Sequence, residues 1–133
     1  MAQVTITKIF DGPKSAVMHV SLLGDGSGDL TDAILIDPAQ SFDPALKAKP
    51  LLTVEQLWYD FSGFSARLEF DDLVSDTPVW TMSGSQAAHV DFCDFGGLKD
   101  RSGELDGLGK LKLTTSGFIG GSFGTLIIKV RKT

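Results

Sequence analysis

Alternating apolar and polar side chains on either side of one glycine, between Thr53 and Phe70, constrain this chain more than any other feature. Phe64, Ala66, Leu68 and Phe70 fall on one face of an extended segment, and Ser65, Arg67 and Glu69 fall on the other. That two-residue period belongs to a strand with one face in a core. Upstream, Val54 and Trp58 share a face with Leu52, and the run ends in Asp60-Phe61-Ser62-Gly63, where Gly63 supplies the positive φ of a tight reversal. The expectation is two aromatic-rich strands folded back on each other at Gly63.

Short apolar segments of the same kind recur along the chain: Val4 to Phe10, Ala16 to Leu23, Thr31 to Ile36, Thr53 to Tyr59, Phe64 to Phe70, Val79 to Met82, Ala87 to Cys93, Lys110 to Thr115 and Thr125 to Arg131. Glycine and aspartate punctuate them, as in Asp11-Gly12-Pro13 and Gly24-Asp25-Gly26-Ser27-Gly28-Asp29, because these residues tolerate turn conformations that others avoid. The pattern predicts an all-β fold, a single antiparallel β-sandwich of jelly-roll-like type with about eight or nine strands, consecutive strands pairing. With 133 residues, 42% of them hydrophobic, the chain suffices for one domain over residues 1–133 and is too short for two ordinary ones. In the last segment Leu126, Ile128 and Val130 alternate with Ile127, Lys129 and Arg131, which sets one face on the core and the basic residues in water.

Two stretches break the rhythm and are expected as surface excursions. Residues 37–50 hold three of the five prolines, with a helical turn expected between Pro44 and Pro50. Residues 96–109 are long for a hairpin connection, and long loops on rigid β scaffolds often carry contacts.

Charge and targeting signals narrow the function classes. A net charge of −5, without a basic stripe interleaved with aromatics, disfavours nucleic acid as a partner. No apolar run approaches the roughly 20 residues that span a bilayer, and Met1-Ala2-Gln3-Val4 lacks the basic and apolar regions of a secretion signal, so neither membrane association nor export is expected. Cys93 is the single cysteine, which excludes an internal disulfide and suits a reducing cytoplasm.

Chemistry-bearing residues are few. His19 and His89 lie inside expected strands and read as structural or exposed face positions, against a catalytic or ligand role. There is no Gly-x-Ser-x-Gly elbow, and Cys93 is expected to pack as a small buried side chain. Asp25, Asp29 and Asp32 invite a calcium site, but their spacing is not that of an EF-hand and an ordinary turn is the simpler reading. Gly96-Gly97 and Gly120-Gly121 have no following Lys-Ser or Lys-Thr and are not phosphate cradles. Glu69, Asp71 and Asp72 read as solvated acids at a strand end and not as a glycosidase pair. Trp58, Tyr59 and Trp80 remain as candidates for a carbohydrate platform or an oligomer contact. Trp58 and Tyr59 point to opposite faces, so at most one of that pair belongs to the core layer. No catalytic residue, metal ligand or cofactor is expected.

A resemblance enters at Ala16-Val17-Met18-His19-Val20, Gly24-Asp25-Gly26-Ser27-Gly28-Asp29, Ile34-Leu35-Ile36-Asp37, and Leu57-Trp58-Tyr59 leading into Gly63-Phe64-Ser65-Ala66-Arg67-Leu68. It continues in Asp94-Phe95-Gly96-Gly97-Leu98 and the closing Thr114-Thr115-Ser116-Gly117. In this order, from Lys8 to Lys132, the chain resembles small structural proteins of tailed bacteriophages. The stretch 37–50 departs from that pattern by its length. The resemblance implies a virion protein without enzymatic activity, made in the host cytoplasm and placed on the capsid exterior as a decoration or cement protein. Its implied partners are the major capsid protein at capsomer junctions and further copies of itself, as a trimer or dimer. Expected contact residues are Leu98, Lys99 and Arg101, the exposed member of the Trp58/Tyr59 pair, and Phe42. The alternatives are a neck or tail subunit and a carbohydrate-binding β-sandwich module.

Overall fold

Gly63 turns the chain from one sheet into another and not back along the same one. In the computed structural model, which describes residues 3–12, 14–26, 28–31, 33–37, 52–71, 77–82, 87–99 and 110–132, ten strands form two antiparallel sheets. They are β1 (Gln3–Asp11), β2 (Ser15–Leu23), β3 (Ala33–Ile36), β4 (Leu52–Ser62), β5 (Ser65–Asp71), β6 (Thr77–Met82), β7 (Ala87–Asp91), β8 (Leu98–Lys99), β9 (Lys110–Ser116) and β10 (Phe123–Lys132). The larger sheet runs β1-β2-β10-β4-β7, with the two-residue β8 also on β4, and the smaller runs β3-β9-β5-β6.

The pairing is nested: β2 pairs β10, β3 pairs β9, β4 pairs β7 and β5 pairs β6. A long antiparallel ribbon wound over itself in this way is a jelly roll, and the fold is an all-β sandwich of that type. Among the described strands only β1 and β2, and β5 and β6, are neighbours both in sequence and in a sheet. Consecutive pairing therefore fails for most of the chain, including the hairpin expected at Gly63. The physical reason lies in the apolar faces of β4 and β5. Side by side in one sheet, both would need a third element to cover them. In opposed sheets they cover each other, and Phe61 and Phe64, on either side of the Gly63 turn (φ 85°), stack with ring centroids 4.7 Å apart.

One bulge decides which aromatic faces out. Val54 pairs Val130 while Gln56 pairs Lys129, so Glu55 is an extra residue in β4. A single inserted residue reverses the phase of everything after it. Leu52 and Val54 point inward before the bulge, and Leu57 and Phe61 after it, all essentially without solvent exposure. Trp58 is thereby moved to the outer face, against the expectation that it shares a side with Val54.

The core is continuous between the sheets. Met18, Val20, Leu22, Leu126, Ile128 and Val130 from the larger sheet meet Ala66, Leu68, Phe70, Leu111 and Leu113 from the smaller. Phe118 closes one end, its ring 4.6 Å from that of Phe64 in an edge-on arrangement. The alternation read in β5 and β10 is as expected, with Arg67 exposed and Lys129 and Arg131 half-buried on outer positions.

Candidate docking surface

Cross-strand register places the outer face of the larger sheet in rows. Residues opposite each other in an antiparallel pair share a face. Thr7, His19, Ile127, Trp58 and His89 consequently form one row across β1, β2, β10, β4 and β7. The row on one side is Thr5, Ser21, Thr125, Asp60 and Ala87, and the row on the other is Phe10, Val17, Lys129, Gln56 and Asp91.

Within the central row the rings of Trp58 and His89 are parallel, 4.6 Å apart with a 4° interplanar angle. Gln56 lies beside the stack, its Oε1 3.3 Å from His89 Nε2. Trp58, Tyr59, Asp60, Ala87, Ala88, His89, Thr125 and Ile127 line an open depression of about 380 Å³ whose walls are mostly apolar. Outer sheet faces normally carry polar side chains, so half-buried Trp58 and Ile127 at its centre are the departure that marks this surface.

A polar border lies at the β7 end. Asp91 Oδ1 accepts a hydrogen bond from the Cys93 backbone N–H at 2.8 Å, where the short 3₁₀ turn Cys93–Phe95 begins. That hydrogen bond, with help from the thiol and the positive charge of Lys129, holds the Asp91 carboxyl below its ordinary range. Cys93 is exposed, contrary to the expectation of a buried side chain. Strand β7 ends at Asp91, and Phe92 takes the inward position, its ring meeting Trp80 edge-on at 5.2 Å. The thiol donates to the Glu55 carbonyl at 3.9 Å, and the neighbouring Asp91 carboxylate, with desolvation, raises its pKa, the opposite of an activated nucleophile.

The expected contact residues are dispersed. Trp58 lies on this face, whereas Tyr59 faces the other way and packs against the core, its ring 5.6 Å from Phe61. Leu98 pairs with Val54 in β8 and is partly buried against the core, and the backbone of Lys99 pairs with Thr53. Phe42 and Arg101 lie outside the described residues, as do most of the excursions 37–50 and 96–109. Ile127 and His89 were not among the expected contacts. The signal for Ile127 was its position out of phase with Leu126 and Ile128, the one apolar residue on the polar side of β10 until Phe123.

Two of the remaining candidates, Asp29 and Glu69, are held by partners within the scaffold. Asp29 Oδ1 accepts hydrogen bonds from Phe118 N–H at 2.7 Å and from Thr115 Oγ1 at 3.2 Å, tying the β2–β3 connection to the β9–β10 turn. Asp32 lies outside the described residues, and among those described no three His, Cys, Asp or Glu side chains group as a metal site would. Glu69 pairs with Arg67 at 3.1 Å. No described helix is long and apolar enough to cross a membrane.

No protein-family model matches the chain, and no curated protein matches it in sequence. Among solved structures it is similar to a cupin superfamily protein from Desulfitobacterium hafniense DCB-2, with a TM-score of 0.34 and 13% identity over 95% of this chain and 75% of that one. A likeness at that score carries no argument about function.

Proposed function

We propose that this chain is a bacteriophage virion structural protein, a decoration or cement protein that attaches to the capsid exterior through the outer face of its larger sheet. The observation that carries the reading is the depression over Trp58 and Ile127, a shallow apolar area on a face that a solitary domain would leave polar. An open, flat surface suits a broad protein partner better than an enclosed small substrate. The resemblance to tailed-phage structural proteins supplies the kind of partner, the major capsid protein. Many weak copies on a repeating lattice act together, so one modest patch per subunit suffices for attachment.

The carbohydrate-binding alternative is disfavoured by the aromatics themselves. One face of Trp58 is stacked by His89, and Trp80 is engaged edge-on by Phe92, which leaves less flat ring surface for a sugar. The deciding experiment is quantitative mass spectrometry of purified virions of the encoding phage. A copy number comparable to that of the major capsid protein supports decoration. A far smaller number assigns the chain to the neck or tail, and absence from particles rejects the virion reading.

A further inference from the structure

The two sheets have unequal edges. Of the five edge strands described, β3 has four residues and β8 two, β6 carries Pro78, and the β7 edge is five residues long before it breaks at the 3₁₀ turn. Short strands, prolines and interruptions are the usual means of keeping an edge from recruiting another strand. Strand β1 is nine residues, Gln3–Asp11, contains no proline, and among the described residues pairs with β2 alone. Every residue from Thr5 to Asp11 is exposed, including Ile6 at 40%, Ile9 at 57% and Phe10 at 53%. Val-Thr-Ile-Thr-Lys-Ile-Phe, residues 4–10, combines β-branched and aromatic residues with one charge, a composition that favours intermolecular strand pairing.

We infer that β1 pairs antiparallel with β1 of a second copy about a two-fold axis, so that the two larger sheets become continuous. This goes beyond the capsid reading and does not depend on what the outer face binds. The bulge between Lys8 and Phe10 restricts straight pairing to Gln3–Lys8. Two registers keep inner residues facing inner ones, one centred on Thr5 and one on Ile6. Centred on Thr5, Ile6 meets Val4 of the second copy. Centred on Ile6, the two isoleucines meet each other and Lys8 lies against Val4.

The argument for a second copy, and not a foreign strand, is self-complementarity. Lys8 is the single charge within Gln3–Lys8 and meets no like charge in either register, although each chain carries −5 in total. The larger sheet has one more full-length strand than the smaller, and a two-fold axis sets the two uncovered strands side by side, each covering the Ile6 of the other. An isologous contact uses the same patch on both partners and closes at two, which selects a dimer over a trimer.

Sedimentation velocity on the isolated protein across a concentration series is the test, with an Ile6→Lys/Ile9→Lys variant alongside. The expected result is a reversible monomer–dimer equilibrium whose dissociation constant rises about tenfold or more in the variant. Hydrogen exchange on the unmodified protein provides a readout independent of the variant's folding, and amides within Gln3–Lys8 gain protection when the dimer forms. A monomer at every concentration, a trimer, or a dimer without added protection in β1 overturns the inference. None of these outcomes bears on virion copy number, so the two proposals fail separately.

Discussion

Asp29 and Phe118, separated by 89 positions in sequence, are joined by a 2.7 Å hydrogen bond from the Phe118 N–H to the Asp29 carboxylate. The same oxygen accepts from Thr115 Oγ1, and Leu30 N–H donates to that hydroxyl at 2.8 Å. One acid thereby fixes the turn that carries Phe118 into the core. Hydrogen bonds to a charged group contribute about 1.5–3 kcal/mol each at most, less where solvent competes. Asp29→Ala is expected to lower unfolding stability by about 1–3 kcal/mol in urea titrations. Because the carboxylate is already engaged, calcium is expected to give no calorimetric heat and no shift in Tm.

Gly124 faces the core in β10, and a Cβ there would lie 2.5 Å from Phe61 Cδ1 and 2.9 Å from Phe64 Cζ. Both rings are held by stacking and have little room to yield. Gly124→Ala, ordinarily a favourable change within a strand, is therefore expected to destabilise the fold by about 1–3 kcal/mol through overpacking. A lower urea midpoint with an unchanged m-value would be the observation; a gain in stability would show that the two rings can shift.

The period-two faces of β5 and β10 were legible in the sequence because each alternation is unbroken, with Leu68 and Phe70 in β5 and Leu126, Ile128 and Val130 in β10 all on one side. The sheet assignments were not. Alternation states that a strand has a buried face but not which strand lies beside it, and in a nested topology the partner of β2 is a hundred residues away in β10. Trp58 was misplaced because the bulge at Glu55 leaves no mark in composition, and phase errors propagate along a strand. Cys93 was misplaced by two residues of strand length, since Asp91 caps the chain and ends β7 early. The outer-face patch was half legible: Trp58 was singled out, but its neighbours Ile127 and His89 come from β10 and β7, strands that sequence reading could not bring together.

Asp91 and Cys93 make a pH prediction. The Asp91 carboxyl titrates below its ordinary value, chiefly because the Cys93 backbone N–H is bonded to it. A depressed folded-state pKa contributes stability above the unfolded value, about 3.9, and that contribution is lost as pH falls through the lower folded value. Asp91→Asn is expected to flatten the acid limb of the stability profile below about pH 4. The same substitution removes the negative charge beside Cys93 that raises its pKa, so alkylation of the thiol at mildly alkaline pH is expected to accelerate. An unchanged alkylation rate would mean that Asp91 does not hold the thiol.

Trp58 and Ile127 face each other across β4 and β10 on the outer face, and neither belongs to the core cluster. Their removal should therefore separate attachment from folding. Buried aromatic anchors at the centre of an interface commonly contribute about 2 kcal/mol or more, whereas half-exposed residues outside a core contribute less to folding. Trp58→Ala and Ile127→Ser are each expected to weaken binding to capsids lacking this protein by about tenfold or more, read by co-sedimentation. Thermal unfolding should move far less than for Phe61→Ala, where loss of a buried ring costs about 3–5 kcal/mol. Arg67→Ala, on the outer face of the smaller sheet, is the matched control and should leave attachment unchanged. Equal loss of attachment in all three surface variants would mean that the docking surface is not the outer face of the larger sheet.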